Sequence, residues 1–249
     1  MFLRALLRKS QRVRFVTING QRFKRVRACD SYVASAIARN LELFSTSGYF
    51  PSLVTRYEEE VWDEYVAGKR PLPNATFAAQ LADFYALLYR QEPRLIPIED
   101  TPCVGRLQRD LRFLKQVGFI AAERHRQLSS AAARLAPREA WVGFDYMDPV
   151  LKNFVLTPEQ DRLCVIDVES VFDGNLIGSG IAKARVHWLT PALLEVLRQR
   201  LAEQPAVPDF FGYFPFIELQ FLAQWTKTKF LTGKRKYLDA ERFEKFLEL

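Results

Sequence analysis

Hydrophobic and polar positions change period several times along the 249-residue chain. Residues 12–18 (RVRFVTI) alternate and are β-rich; Asn19-Gly20 follows, a strong hairpin turn signal, and 21–27 (QRFKRVR) form the predicted return strand. Residues 30–45 switch to helical spacing, with Tyr32, Val33, Ala36, Ile37, Leu41 and Phe44 recurring behind an Asp30 or Ser31 N-cap. Extended segments return at 49–54 and 61–66. Amphipathic helices are then predicted over 76–89, 103–118, 119–135 and 190–203, the last opened by Thr190-Pro191. Two short apolar runs, Phe154–Leu156 and Leu163–Ile166, flank the polar turn TPEQDR and read as a β-hairpin. The aromatic stretch 209–225 reads as core. Gly174, Gly178 and Gly180 suggest a mobile loop, without the strand–turn–helix context of a dinucleotide fingerprint.

The hairpin carries the candidate chemistry. Asp148 and Asn153 precede its first strand, and Asp167 ends the second. Carboxylates and an amide gathered at one end of a hairpin suit a hard, oxygen-seeking cation and a substrate hydroxyl.

These residues carry a resemblance. Tyr146-Met147-Asp148-Pro149-Val150-Leu151-Lys152-Asn153 resembles the catalytic loop H-R-D-x-x-x-x-N of the protein-kinase-like superfamily. Ile166-Asp167-Val168-Glu169 resembles its metal-binding strand end, in the D-F-E form of small-molecule phosphotransferases. A strand running into Glu64-Tyr65-Val66-Ala67-Gly68 resembles the hinge, whose backbone bonds adenine. The resemblance spans roughly residues 12–180. It implies an α+β, bilobal fold with a small β-rich N-lobe (1–66) and a larger, mainly helical C-lobe (67–249). It implies ATP and Mg²⁺ as cofactors, Asp148 as the residue accepting the hydroxyl proton, and Asn153 and Asp167 as metal ligands. Lys24 is the expected phosphate lysine, with Arg25 or Arg27 as substitutes, and Glu42 is the candidate helix acid pairing with it. Glu64 and Val66 are the expected hinge contacts.

The chain departs from the pattern in three ways. Tyr146 and Met147 replace the His-Arg pair, Arg22 stands where a small residue faces adenine, and Gly20 is the only glycine among the first forty residues. Backbone amides over the phosphates would come from a turn near Ser10. The resemblance therefore leaves two readings open. One is a phosphotransferase acting on a small molecule or glycolipid, in character like the bacterial lipopolysaccharide core sugar kinases; the other is a pseudokinase kept as a binding or scaffolding module.

Composition adds less. With 36 basic and 29 acidic residues, the net charge of +7 suits an anionic partner such as a nucleotide or an acidic membrane surface. No nucleic-acid-binding signature is present, so nucleic acid is not an expected partner. The segment MFLRALLRKSQRVRF reads either as a basic amphipathic helix on an anionic membrane face or as a helix packed on its own domain. Lys227, Lys229, Lys234, Arg235 and Lys236 form a second basic cluster, a candidate lipid or acidic-substrate contact. Three scattered cysteines and no apolar run of about 18 residues point to a reducing compartment without a spanning helix. The expected location is the cytoplasm, with peripheral contact at the inner membrane face.

Overall fold

The computed structural model describes residues 13–158 and 161–248. The basic segment before residue 13, including the turn expected at Ser10, lies outside them. The chain divides into two compact units: residues up to Phe84 with Val150–Val171, and Tyr85–Pro149 with Phe172–Leu249. The chain beyond the hinge is tied to the hairpin by paired backbone bonds between Lys69 and Leu156 (3.0 and 2.8 Å), so both belong to the first unit.

The first unit is built on an antiparallel sheet of order β1 (Val13–Ile18), β2 (Gln21–Arg27), β4 (Glu60–Glu64) and β3 (Leu53–Tyr57). The β1–β2 turn has both Asn19 (φ 51°) and Gly20 (φ 80°) left-handed, the geometry that Asn-Gly supplies at least cost. Helix α1 (Ser31–Leu43) starts where Asp30 accepts the Val33 amide at 2.8 Å. Its apolar stripe of Ala34, Ile37, Ala38 and Leu41 is buried, as is Val61 of β4. Near-complete burial of such side chains contributes roughly 1.5–3 kcal/mol for each large aliphatic one. The hairpin β7 (Phe154–Leu156) and β8 (Leu163–Val165) pairs as the apolar runs predict. Phe154 packs edge-on against Phe77 and Phe84 of helix α2 (Ala75–Tyr89).

The second unit contains α3 (Cys103–Gln116), α4 (Ala122–Leu135) and a sheet of order β5 (Arg94–Pro97), β6 (Glu139–Tyr146) and β9 (Val171–Leu176). Three further helices follow: α5 (Ser179–His187), α6 (Pro191–Ala202) and α7 (Phe214–Leu231). Thr190 caps α6 by accepting the Leu193 amide, as its Thr-Pro start predicts. Helix α7 carries the aromatic stretch into the core, where Phe210, Phe216, Leu219 and Ala223 are inaccessible.

The glycine-rich segment is ordered strand and helix rather than a mobile loop. A Cβ at Gly180 would meet the Tyr146 carbonyl at 2.1 Å and the Tyr85 hydroxyl at 2.4 Å. Glycine stands there because the start of α5 is pressed against β6, not because the chain moves. Among the described residues no helix is long and apolar enough to cross a membrane. In the basic tail, Lys227 bonds Asp110 at 2.7 Å, while Lys229, Arg235 and Lys236 lie over the rings of Trp225, Phe230 and Tyr237.

Candidate active site

Within the first unit, β1, β2, β4, the hinge segment and the β7–β8 hairpin enclose a cavity of about 290 Å³. Val13, Phe15, Pro51, Val155 and Ile166 supply apolar walls, and Lys24, Asp63, Asn153 and Asp167 supply charge and hydrogen-bonding groups. Glu64, Tyr65 and Val66 line the same space, which places both expected hinge residues on it. Gly68 also lies on it; a Cβ there would come within 2.5 Å of the Leu156 carbonyl, so the glycine lets the hinge approach the hairpin.

Lys24 is buried on β2, and its ammonium donates to the Ile166 carbonyl at 2.6 Å and to Glu169 at 3.4 Å. Asp63 of β4 lies directly opposite in the strand register, its Oδ2 3.8 Å from the same ammonium. Burial raises the Asp63 carboxyl to about 7 despite the lysine. Burial also opposes ionisation of Glu169, but the neighbouring Lys24 and a hydrogen bond with Asp167 bring it below the usual carboxylate range. Glu169 is thus the ionised partner of Lys24.

The helix acid expected in that role is not there. Glu42 is exposed on α1. The buried polar residue of that helix is Asn40, whose amide donates to the Val171 carbonyl at 3.0 Å. The reason is helical phase: Leu41 and Phe44 fix the buried stripe and turn Glu42 outward. Arg25 and Arg27 are not pocket cations either. Arg25 pairs with Glu60 and lies over the Trp62 ring, and Arg27 reaches Glu59 at 3.3 Å. Residues one and three places from Lys24 emerge on the other face of the strand. Arg22 lies over the Tyr65 ring at 4.1 Å and is not a wall of the cavity.

At the cavity's polar end, Asn153 Nδ2 donates to Asp167 Oδ2 at 3.0 Å, and the Ser170 hydroxyl donates to the same oxygen at 3.2 Å. An amide oxygen and a carboxylate held one hydrogen bond apart are a hard-donor pair that fits Mg²⁺. Among the described residues no three His, Cys, Asp or Glu side chains form a metal cage.

Asp148 belongs to the second unit. There it forms an ion pair with Lys183 of α5, which also donates to the Met147 carbonyl at 3.0 Å. Trp188 Nε1 donates to the Pro149 carbonyl at 2.7 Å. Helix α5 is anchored at its start by Asp145, buried beneath it, which accepts the Gly180 amide at 3.2 Å. Loss of hydration pushes the Asp145 carboxyl up to about 7.

Lys183, Asp63 and Glu169 escape a reading of the sequence. Glu169 alone had a signal, as the acid that closes the D-V-E string. Lys183 meets Asp148 across 35 residues, and nothing local marks it. A separate cavity of the second unit has Asp100, Arg106, Met147, Asn175, Gln220 and Phe221 among its walls.

No protein-family model matches the sequence, and no curated protein matches it. Solved structures do match. A choline kinase from Streptococcus pneumoniae is 14% identical with a TM-score of 0.66, covering 95% of this chain and 89% of its own. An aminoglycoside phosphotransferase from Alicyclobacillus acidocaldarius is 14% identical with a TM-score of 0.64, the match covering 96% of this chain and 84% of that one. An ethanolamine kinase from Plasmodium vivax is 11% identical with a TM-score of 0.56, covering 99% and 83%. At such identities the likeness is one of fold. Together with the hinge, the Lys24 ion cluster and the Asn153–Asp167 pair, it establishes that the chain has the protein-kinase-like fold.

Proposed function

We propose that this chain is an ATP-dependent phosphotransferase that moves the γ-phosphoryl group of ATP to a hydroxyl of a small molecule or glycolipid. One observation carries the reading: Lys24, Asn153, Asp167 and the hinge residues Glu64 and Val66 all line a single cavity with apolar walls. A nucleotide needs those parts together: a slot for the base, backbone groups at its edge, and a cation and hard donors for the phosphates.

In this reading the hinge backbone holds the base and Lys24 balances phosphate charge. Asn153 and Asp167 would hold Mg²⁺, which would supply charge neutralisation for the phosphates. Asp148 accepts the acceptor's hydroxyl proton as the new O–P bond forms and the bond to ADP breaks. Lys183 is a positioning residue that fixes the Asp148 carboxylate by ion pairing. Most of the acceleration in this mechanism is placement and preorganised charge.

For the acceptor, a lipopolysaccharide core sugar is the class we favour. The second unit's cavity presents Asp100, Arg106, Asn175 and Gln220 beside Phe221. Planar polar groups beside an aromatic ring suit a polyhydroxylated molecule. The net charge of +7 suits an anionic glycolipid and the inner face of an anionic membrane.

The test is transfer of labelled γ-phosphate to extracted glycolipid and to a panel of monosaccharides, with mass spectrometry of the product. Phosphorylated product with the parent chain and none with Asp167→Asn supports the reading. Binding of Mg-ATP with no turnover on any hydroxyl acceptor would turn it into the binding-module reading, which the outward position of Glu42 favours.

A further inference from the structure

The roles above leave unused a cavity of about 190 Å³ in the second unit, lined by residues of α5, α7 and the 3₁₀ segment Glu241–Phe246. Arg185, Arg242 and Lys245 bring three cations to its wall, and Glu218 is the one carboxylate among its described lining residues. A single oxygen of that carboxylate serves two of the cations: Glu218 Oε1 accepts from Lys245 Nζ at 2.6 Å and lies 3.4 Å from Arg185 Nε. Arg242 has no carboxylate within ion-pairing distance among the described residues. Its Nη2 donates to the Val186 carbonyl at 2.9 Å, and its guanidinium lies over the Trp225 ring. The lining therefore carries an excess of two positive charges. Arg185 is only 16% exposed, so solvent screens that excess poorly. Loss of hydration lowers the Arg242 guanidinium from its usual range, and the Arg185 charge adds to the effect against the pull of Asp239 and Glu218.

We propose that this cavity is an anion site of the second unit that takes one phosphate group. Charge sets the class: a phosphate dianion matches the excess of two, and a carboxylate matches half of it. Geometry agrees, because a guanidinium presents paired N–H donors to phosphate oxygens, and Arg242 commits only Nη2 to a hydrogen bond among the described residues. Size narrows it further. The cavity is smaller than the roughly 300–1,000 Å³ of a site that encloses a whole drug-sized molecule, so it holds an anionic group and not a sugar or a base. The phosphate is either the free ion or the end of a larger molecule. The proposal does not depend on the nucleotide reading, which rests on other residues in the first unit.

Calorimetric titration of the full chain at fixed ionic strength tests it. The probes are inorganic phosphate, glycerol 3-phosphate and, as the singly charged control, acetate. The titrations run at about pH 8, where phosphate is the dianion. Each is repeated in Lys24→Met, which removes the cation expected to hold phosphate in the first unit. Phosphate should bind with a Kd of about 1 mM or tighter, at least about tenfold more tightly than acetate, and equally well in Lys24→Met. Arg242→Gln and Lys245→Gln should each weaken it by about tenfold, the scale of one charge-assisted hydrogen bond. Glu218→Gln removes the carboxylate but keeps an oxygen for Lys245, and should strengthen phosphate binding by about tenfold. Binding of glycerol 3-phosphate as well assigns the site to the phosphate end of a larger molecule, and binding of inorganic phosphate alone assigns it to the free ion; either supports the proposal.

Absence of phosphate binding by the parent at about 10 mM, ten times a millimolar Kd, overturns the proposal without any variant. Loss of binding in Lys24→Met moves the phosphate to the first unit and overturns it too. Weaker binding in Glu218→Gln, or unchanged affinity in Arg242→Gln and Lys245→Gln, leaves these four residues as an ion network that only holds the helices together. Should Arg242→Gln fail to fold, Lys245→Gln decides, since the Lys245 side chain is 46% exposed.

Discussion

The two lysine–carboxylate sites of this molecule use the same ions under different conditions. In the first unit Lys24 is flanked by Asp63 and Glu169 with the ammonium almost wholly buried (side chain 9% exposed). In the second, Lys183 and Asp148 pair with their side chains 21% and 18% exposed. Buried carboxylates around one lysine cannot all keep their charge cheaply, so one of them, Asp63, is driven toward its neutral form while Glu169 stays ionised. The second pair leaves both side chains partly open to solvent. A buried cluster therefore suits a fixed electrostatic role, in which charges stay where the fold puts them. A wetter pair suits an acid that must accept and release a proton in every turnover.

That contrast is breakable by substitution. Asp167→Asn removes a charged donor from the first unit and should lower phosphate transfer by more than about a thousandfold, in line with losing a major electrostatic stabiliser; equal rates for parent and variant would exclude Asp167 from the chemistry. Asp148→Asn should lower kcat by about a hundredfold to ten-thousandfold, the usual scale for a general base. Its affinity for Mg-ATP should stay at the parent value, because Asp148 is assigned to the acceptor proton and not to nucleotide. A joint loss of binding and turnover would contradict that assignment.

Lys183→Met should cost less, about tenfold in kcat, with the affinity for nucleotide unmoved. It should also raise the acid limb of the pH–rate profile, since Asp148 without the Lys183 ammonium beside it holds its proton more strongly. An unchanged limb would make Lys183 a structural residue only.

A fourth expectation concerns stability. Burial holds the Asp145 carboxyl at about 7, whereas an unfolded chain releases that proton near 3.9. Between those values the folded state binds more protons, so stability falls as pH rises from about 4 to 7 and levels off above, by up to ~1.4 kcal/mol per pH step of one. Urea titrations across that range should show this decline in the parent chain and a flatter profile in Asp145→Asn. Identical profiles would mean that Asp145 does not titrate in the window.

The smallest effect is expected at Glu42. Glu42→Ala should change stability by no more than about 0.5 kcal/mol and leave kcat in place, as for an exposed residue outside any network. A large loss of activity would return this acid to the lysine.

How far the sequence reaches differs by the range of the interaction. Asn19-Gly20, the Asp30 cap and the Thr190-Pro191 start are read directly from local chemistry, and each appears as expected. The hairpin that joins Asn153 to Asp167 is equally local: two nearby apolar runs pair as antiparallel strands. The glycines of 174–180 mislead because glycine serves motion and close packing alike, and only the position of β6 and Tyr85 tells which.

The sequence by itself determined the two strand–turn units, the helices and their caps, and the spacing of Asp148, Asn153 and Asp167, because backbone preferences and alternation act over a few residues. Only the tertiary structure decided which acids meet which lysines. Lys24 finds Glu169 across 145 residues, Asp63 becomes a buried acceptor because β4 pairs with β2, and Lys183 reaches Asp148 because Gly180 lets α5 press against β6. Those choices follow from burial and strand register, which belong to the assembled fold and to no single stretch of chain.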